Sequence, residues 1–113
     1  MSRVLLTKEF RLEMAHALVG YDVCAFVGIK VLEPALEGST IEALGRIPEI
    51  VECHYITGEH NLLVKLYCED NEHLMRTLSE GIRKIPGVVG TETFISLTES
   101  LSRQIDVSHL CDE

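Results

Sequence analysis

Apolar and polar positions change their period several times along the chain, and each change marks an element. Val23-Cys24-Ala25-Phe26-Val27-Gly28-Ile29-Lys30-Val31 is dense in β-branched residues and too short for an ordinary helix, so it reads as a strand. Pro34 and Gly38 then interrupt the chain. Ser39-Thr40-Ile41-Glu42 has the S/T-x-x-E spacing of a capping box, and Ile41, Leu44 and Ile47 follow at helical spacing. A start near Pro34, which suits a first helical turn, is the alternative. The helix stops before Ile47-Pro48. Glu49 to Thr57 and Leu62 to Cys68 read as two further strands. The short Gly58-Glu59-His60-Asn61 connection makes them antiparallel neighbours. Asp70 or Asn71 can cap a second helix, whose apolar positions are Leu74, Met75, Leu78, Ile82 and Ile85. Ile85-Pro86-Gly87 ends it, and Val88 to Thr98 reads as a fourth strand.

Ile47-Pro48-Glu49-Ile50-Val51 returns 38 residues later as Ile85-Pro86-Gly87-Val88-Val89, each time where a helix hands over to a strand. The unit is β-α-β, used twice. The expected fold class is therefore α+β, a ferredoxin-like βαββαβ with a four-stranded antiparallel sheet and two helices on one face. The other face is not polar. Val23, Ala25, Val27 and Ile29 alternate with Cys24 and Phe26, and Leu62, Val64 and Leu66 alternate with Leu63 and Tyr67. A sheet with one solvated face would alternate apolar and polar instead. A cover is needed, and the expectation is a second subunit packed sheet on sheet. Strand phase leaves open whether Phe26 or Val27 faces that interface. The expected domains are an N-terminal extension over 1–20, a folded domain over 21–107 and a polar tail over 108–113. In the extension, Phe10, Met14 and Leu18 fit a short helix, and Val4-Leu5-Leu6 fits a strand equally well.

Charge narrows the function. Lys and Arg number 10 and Asp and Glu 18, a net charge of −8 that makes a poor partner for phosphate backbones or anionic membranes. No apolar run approaches the roughly 20 residues of a membrane span. Arg3, Lys8 and Glu9 interrupt the start too soon for a signal peptide, so a cytoplasmic location is expected. Cys24, Cys53, Cys68 and Cys111 form no C-x-x-C and read as reduced thiols. Of His16, His54, His60, His73 and His109, only His54 and His60 belong to neighbouring positions, and Glu49 and Glu52 read as solvated. No nucleophile–base pair, phosphate loop or basic stripe stands out, so no catalytic residue, metal or cofactor is expected. The residues favour a self-associating, ligand-sensing module. An enzyme on the same fold and a purely structural oligomerisation module are the competing readings.

Four stretches in register now become specific: Gly20-Tyr21-Asp22-Val23-Cys24, Ile47-Pro48-Glu49-Ile50-Val51-Glu52, Tyr55-Ile56-Thr57-Gly58 and Thr91-Glu92-Thr93-Phe94-Ile95-Ser96-Leu97. From Leu18 to about Val107 the chain resembles the C-terminal regulatory (RAM) domain of Lrp/AsnC-family transcriptional regulators, the AsnC branch in particular. The resemblance implies a domain that binds a small effector, usually an amino acid. It also implies homodimers paired through their sheets, often as rings of four dimers. The effector site it implies is the hairpin Thr57, Gly58, Glu59, His60 and Asn61 together with Thr91 and Thr93. Backbone N–H groups around Gly58 suit a carboxylate, and the threonine oxygens suit an ammonium. Many relatives have an acidic residue where Asn61 stands. Family regulators carry an N-terminal helix-turn-helix domain, which needs roughly 45 residues or more. Only some 20 residues precede the match. The expectation is a stand-alone or truncated regulatory domain that binds no DNA itself and acts either by assembling with a full-length Lrp/AsnC-type regulator or by buffering effector.

The segment Leu6-Thr7-Lys8-Glu9-Phe10-Arg11-Leu12-Glu13-Met14-Ala15-His16-Ala17-Leu18 is similar to the opening of the pterin-synthase family. In that family the histidine after the alanine is a zinc ligand, and a His-x-His pair follows. Cys24-Ala25-Phe26 stands there instead, and a lone His16 cannot fill a tetrahedral site.

Overall fold

The computed structural model describes residues 20–106. The expected N-terminal helix or strand, His16, His109, Cys111 and the tail over 108–113 lie outside the described residues. Strand β1 spans Val23–Val31, α1 Glu37–Leu44, β2 Ile50–Tyr55, β3 Leu62–Cys68, α2 Asn71–Arg76 and β4 Val88–Ser96. The sheet order is β2-β3-β1-β4, and every neighbouring pair is antiparallel. This is the ferredoxin-like α+β arrangement, and β2 and β4 begin at the same position of the 38-residue repeat, Ile50 and Val88.

Helix α1 starts from Pro34, not from the capping box. A short 3₁₀ turn over Pro34–Leu36 leads into it. Ser39 and Thr40 lie inside the helix, and their hydroxyls donate back to the Leu36 carbonyl at 3.1 and 2.7 Å. Thr40 is fully buried, so this bond satisfies a hydroxyl that water cannot reach. Asp70 does cap α2: its carboxylate accepts from the His73 backbone N–H at 2.8 Å.

Beyond Arg76 the helix widens into a π turn over Thr77–Gly81 and closes with a 3₁₀ turn over Ile82–Lys84. The apolar spacing explains this. Leu74, Leu78 and Ile82 recur every four residues, which on a straight α-helix drifts by about 40° per step. The wider turn takes that drift back and keeps all three buried against the sheet. Met75, expected in the same stripe, is 54% exposed because it sits one position round the helix.

Register assigns every side chain to a face, since directly paired residues share one. Ala25, Val27, Ile29, Leu62, Val64 and Leu66 lie under the helices and form the core with Leu44, Leu74, Leu78 and Ile82. On the open face three cross-strand rows run Ser96–Cys24–Tyr67, then Phe94–Phe26–Lys65–Glu52, then Glu92–Gly28–Leu63–His54. That face carries an apolar band along β1 and its neighbours, as expected, and a charged margin along β2. Phe94 remains 52% exposed in the single chain. Among the described residues no helix is long and apolar enough to cross a membrane.

Candidate functional site

The β2–β3 hairpin has a fixed base and an open tip. The Ile56 N–H donates to the Asn61 carbonyl at 3.1 Å, and the Asn61 N–H donates to the Ile29 carbonyl at 2.9 Å. Asn61's side chain ties three elements together. Its Oδ1 accepts from the Val31 N–H at 2.8 Å, and its Nδ2 donates to Glu37 Oε2 at 3.2 Å. The hairpin base is thereby bound to the end of β1 and the start of α1. Asn61 thus also has a structural role, one that its place in the expected ligand loop did not suggest. Thr57, Gly58 and Glu59 at the tip are exposed. Gly58 has φ 112°, a conformation that side chains resist, with open space where a Cβ would stand.

His60 turns away from the tip and lies over Gly28 on the open face. A Cβ at Gly28 would stand 3.0 Å from the imidazole Cγ. The glycine inside an otherwise apolar strand is the sequence signal for that close approach. His60 Nε2 is 3.7 Å from Glu92 Oε1, so the hairpin reaches β4 through Glu92. Thr91 and Thr93 pair with Ile29 and Val27 and therefore face the helix side. The expected site residues fall into two groups: the hairpin, and the half-buried threonines of β4. The entry to α1 touches the hairpin base, where Glu37 meets Asn61, and the turn into β4, where Leu36 lies against Gly87.

Thr91 has a neighbour the sequence did not point to. Arg83 Nε donates to Thr91 Oγ1 at 3.3 Å. An ammonium at Thr91 would face a guanidinium, so this end of the sheet has the wrong sign for the amine of an amino acid.

The remaining polar clusters are structural. His54 Nε2 meets Glu52 Oε1 at 2.9 Å, and Lys65 Nζ lies 3.8 Å from Glu52 Oε2. Glu52 is thus paired, not merely solvated. The bond to His54, aided by the charge of Lys65, holds its carboxyl below the ordinary range against the opposing effect of burial. That contribution is present above the ordinary carboxylate pKa and is lost as pH falls through the lowered one. Glu52 is half exposed, so the contribution is small. Glu49 is paired as well. His73 Nδ1 accepts from the Glu69 N–H at 3.0 Å, which leaves Nε2 as the donor to Glu49 Oε2 at 2.8 Å. This bond pins the approach to β2 onto α2. His54 and His60 share the open face, but each meets a different carboxylate. Among the described residues no cluster of His, Cys, Asp and Glu could hold a metal ion, and Cys24, Cys53 and Cys68 are free thiols. Burial pushes the Cys68 thiol up, away from the reactive thiolate, and partial desolvation by its neighbours does the same for the exposed Cys53.

Residues 24–105 match the family described as the Lrp/AsnC ligand binding domain. The chain belongs to the Lrp/AsnC family. The regulatory protein AsnC of Escherichia coli K12 is 30% identical over 95 residues, covering 84% of this chain and 62% of that protein. The Lrp/AsnC domain thus spans less than two thirds of the length of that relative. The solved structure of E. coli AsnC superposes with a TM-score of 0.75 at 26% identity, over 85% of this chain and 72% of that one. A transcriptional regulator from Neisseria meningitidis, solved as a complex with L-Met, shares the fold with a TM-score of 0.75 at 17% identity, over 96% and 83% of the two chains. The Lrp/AsnC domain is thus an effector-binding regulatory domain, and the relatives it matches are named as regulators.

Proposed function

We propose that this domain binds an amino-acid effector and self-associates through its open sheet face, in the cytoplasm, as part of amino-acid-responsive transcriptional control. The observation that carries the reading is the match to the ligand-binding domain over residues 24–105, with a hairpin tip held open on a fixed base within it. The L-Met complex of the Neisseria neighbour supports an amino acid as the class of ligand for this fold. The effector site consists of Thr57, Gly58, Glu59, His60 and Asn61 together with Thr91 and Thr93. In one chain the entry to α1 touches the hairpin base through Glu37 and Asn61, and the turn into β4 through Leu36 and Gly87. The apolar band of Cys24, Phe26, Leu63, Tyr67 and Phe94 supports a second copy as the cover of the open face. A ring of four dimers and assembly with a full-length Lrp/AsnC-type regulator extend the same reading.

A thermal-shift screen against the amino acids tests it. A specific ligand at 100 times its Kd stabilises the native state by about 2.7 kcal/mol. One amino acid or a small related group is expected to raise the midpoint. Gly58→Val is expected to cancel the shift while leaving the domain folded. The strain at φ 112° costs about 1–2 kcal/mol, and the space around the residue is open. An unchanged response in Gly58→Val would move the site away from the hairpin. No response to any amino acid would favour a structural oligomerisation module.

A further inference from the structure

The start of β4 carries a cleft of about 380 Å³, at the low end of the roughly 300–1,000 Å³ typical of small-molecule sites. Its walls are Arg83, Val88, Val89, Gly90 and Thr91. The Nε–H of Arg83 donates to Thr91 Oγ1, which orients the guanidinium and leaves both terminal amino groups for another acceptor. Among the described residues no carboxylate lies within ion-pair distance of Arg83. That is unexpected in a chain with 18 acidic and 10 basic residues, where acids outnumber the cations available to pair with them. Val88 and the 55% exposed Val89 supply an apolar wall beside the charge. Gly90 contributes no side chain, and β4 is an edge strand, so its backbone is approachable from this side.

We propose that Arg83 is the carboxylate-binding residue of this cleft, and that the cleft takes a small organic acid with an aliphatic side chain. An oriented guanidinium with two free donors matches the two oxygens of a carboxylate, and the valines match an aliphatic substituent. The inference deepens the effector reading and rests on it for the identity of the ligand as an amino acid. It reverses the polarity read from the sequence: the carboxylate sits at β4, and the ammonium is left for the hairpin.

The test uses the full chain and three probe sets: aliphatic amino acids, the matching 2-oxo acids, which lack the ammonium, and the matching amino-acid amides, which lack the carboxylate. Binding is followed by NMR titration of the Gly90 and Thr91 amides. Amino acids and 2-oxo acids are expected to shift both signals, and amides are not. Arg83→Met is expected to lower affinity about tenfold or more. Arg83→Lys keeps the charge without the two-pronged geometry and is expected to fall between. Arg83 is exposed, so these variants are expected to keep the parent's circular dichroism. Amides that shift the signals as strongly as the acids would overturn the proposal, as would undiminished binding by Arg83→Met. Binding of 2-oxo acids without amino acids would uphold Arg83 and overturn the amino-acid effector. Binding of none of the three by the parent would overturn both.

Discussion

Val27→Lys is expected to unfold the domain, whereas Phe26→Lys, one residue earlier, is expected to leave it folded and unable to self-associate. The two side chains sit on opposite faces of β1. Val27 is fully buried among the core residues beneath the helices, opposite Val64 and Thr93. An ammonium there has no partner, and burying an unpaired charge costs several kcal/mol. That is most of the roughly 5–15 kcal/mol by which a domain is stable. Phe26 lies on the open face opposite Phe94, with Lys65 Nζ 6.0 Å from its ring. A lysine there stays in water in the single chain. In the proposed sheet-on-sheet dimer it adds a second cation beside Lys65 in each copy, within an apolar contact. Circular dichroism and urea unfolding are expected to separate the two variants, and light scattering is expected to find Phe26→Lys monomeric. A folded Val27→Lys would contradict the assignment of faces. A Phe26→Lys variant that still associates would place the interface elsewhere.

Asn61→Asp is expected to lower stability by about 1–3 kcal/mol, although it changes one atom and restores the acidic residue the resemblance leads one to expect. Asp keeps the acceptor for the Val31 N–H but replaces the donor to Glu37 with a second acceptor, so two carboxylates face each other where a 3.2 Å hydrogen bond was. Glu37→Gln in the same chain provides a donor again and is expected to recover most of the loss. In a double-mutant cycle the two changes are therefore strongly non-additive. The pH dependence has a definite sign. Like charges raise the carboxyl pKa in the folded state, so the folded protein binds a proton that the unfolded chain releases. The variant is expected to approach the parent's stability as pH falls through that raised value, and to lose it again above. A Glu37→Gln change that adds independently would remove the bond from the account of how the hairpin is held.

The elements and the topology class were legible in the sequence because local chemistry decides them. β-Branched density set β1 at Val23–Val31, a short connection paired β2 with β3, Asp70 capped α2, and the repeat of Ile-Pro marked where β2 and β4 begin. Ends that depend on packing were less legible. α1 began at the Pro34 turn because Ser39 and Thr40 were used inside the helix, and β2 and β4 stopped short of Thr57 and Thr98. The sequence also determined the family, through four short stretches in register.

Only the tertiary structure decided the faces. Both alternating sets of β1 are apolar, so hydropathy cannot tell Phe26 from Val27; the helices and the register with β3 and β4 can. The same register turned Thr91 and Thr93 toward the helices and Glu92 toward His60. Asn61 and Glu37 are 24 residues apart, and Arg83 and Thr91 sit on different elements, so no local spacing announces either contact. Periodicity is a property of neighbours along the chain. A site is a property of neighbours across it, and those are chosen only when the sheet closes under its helices.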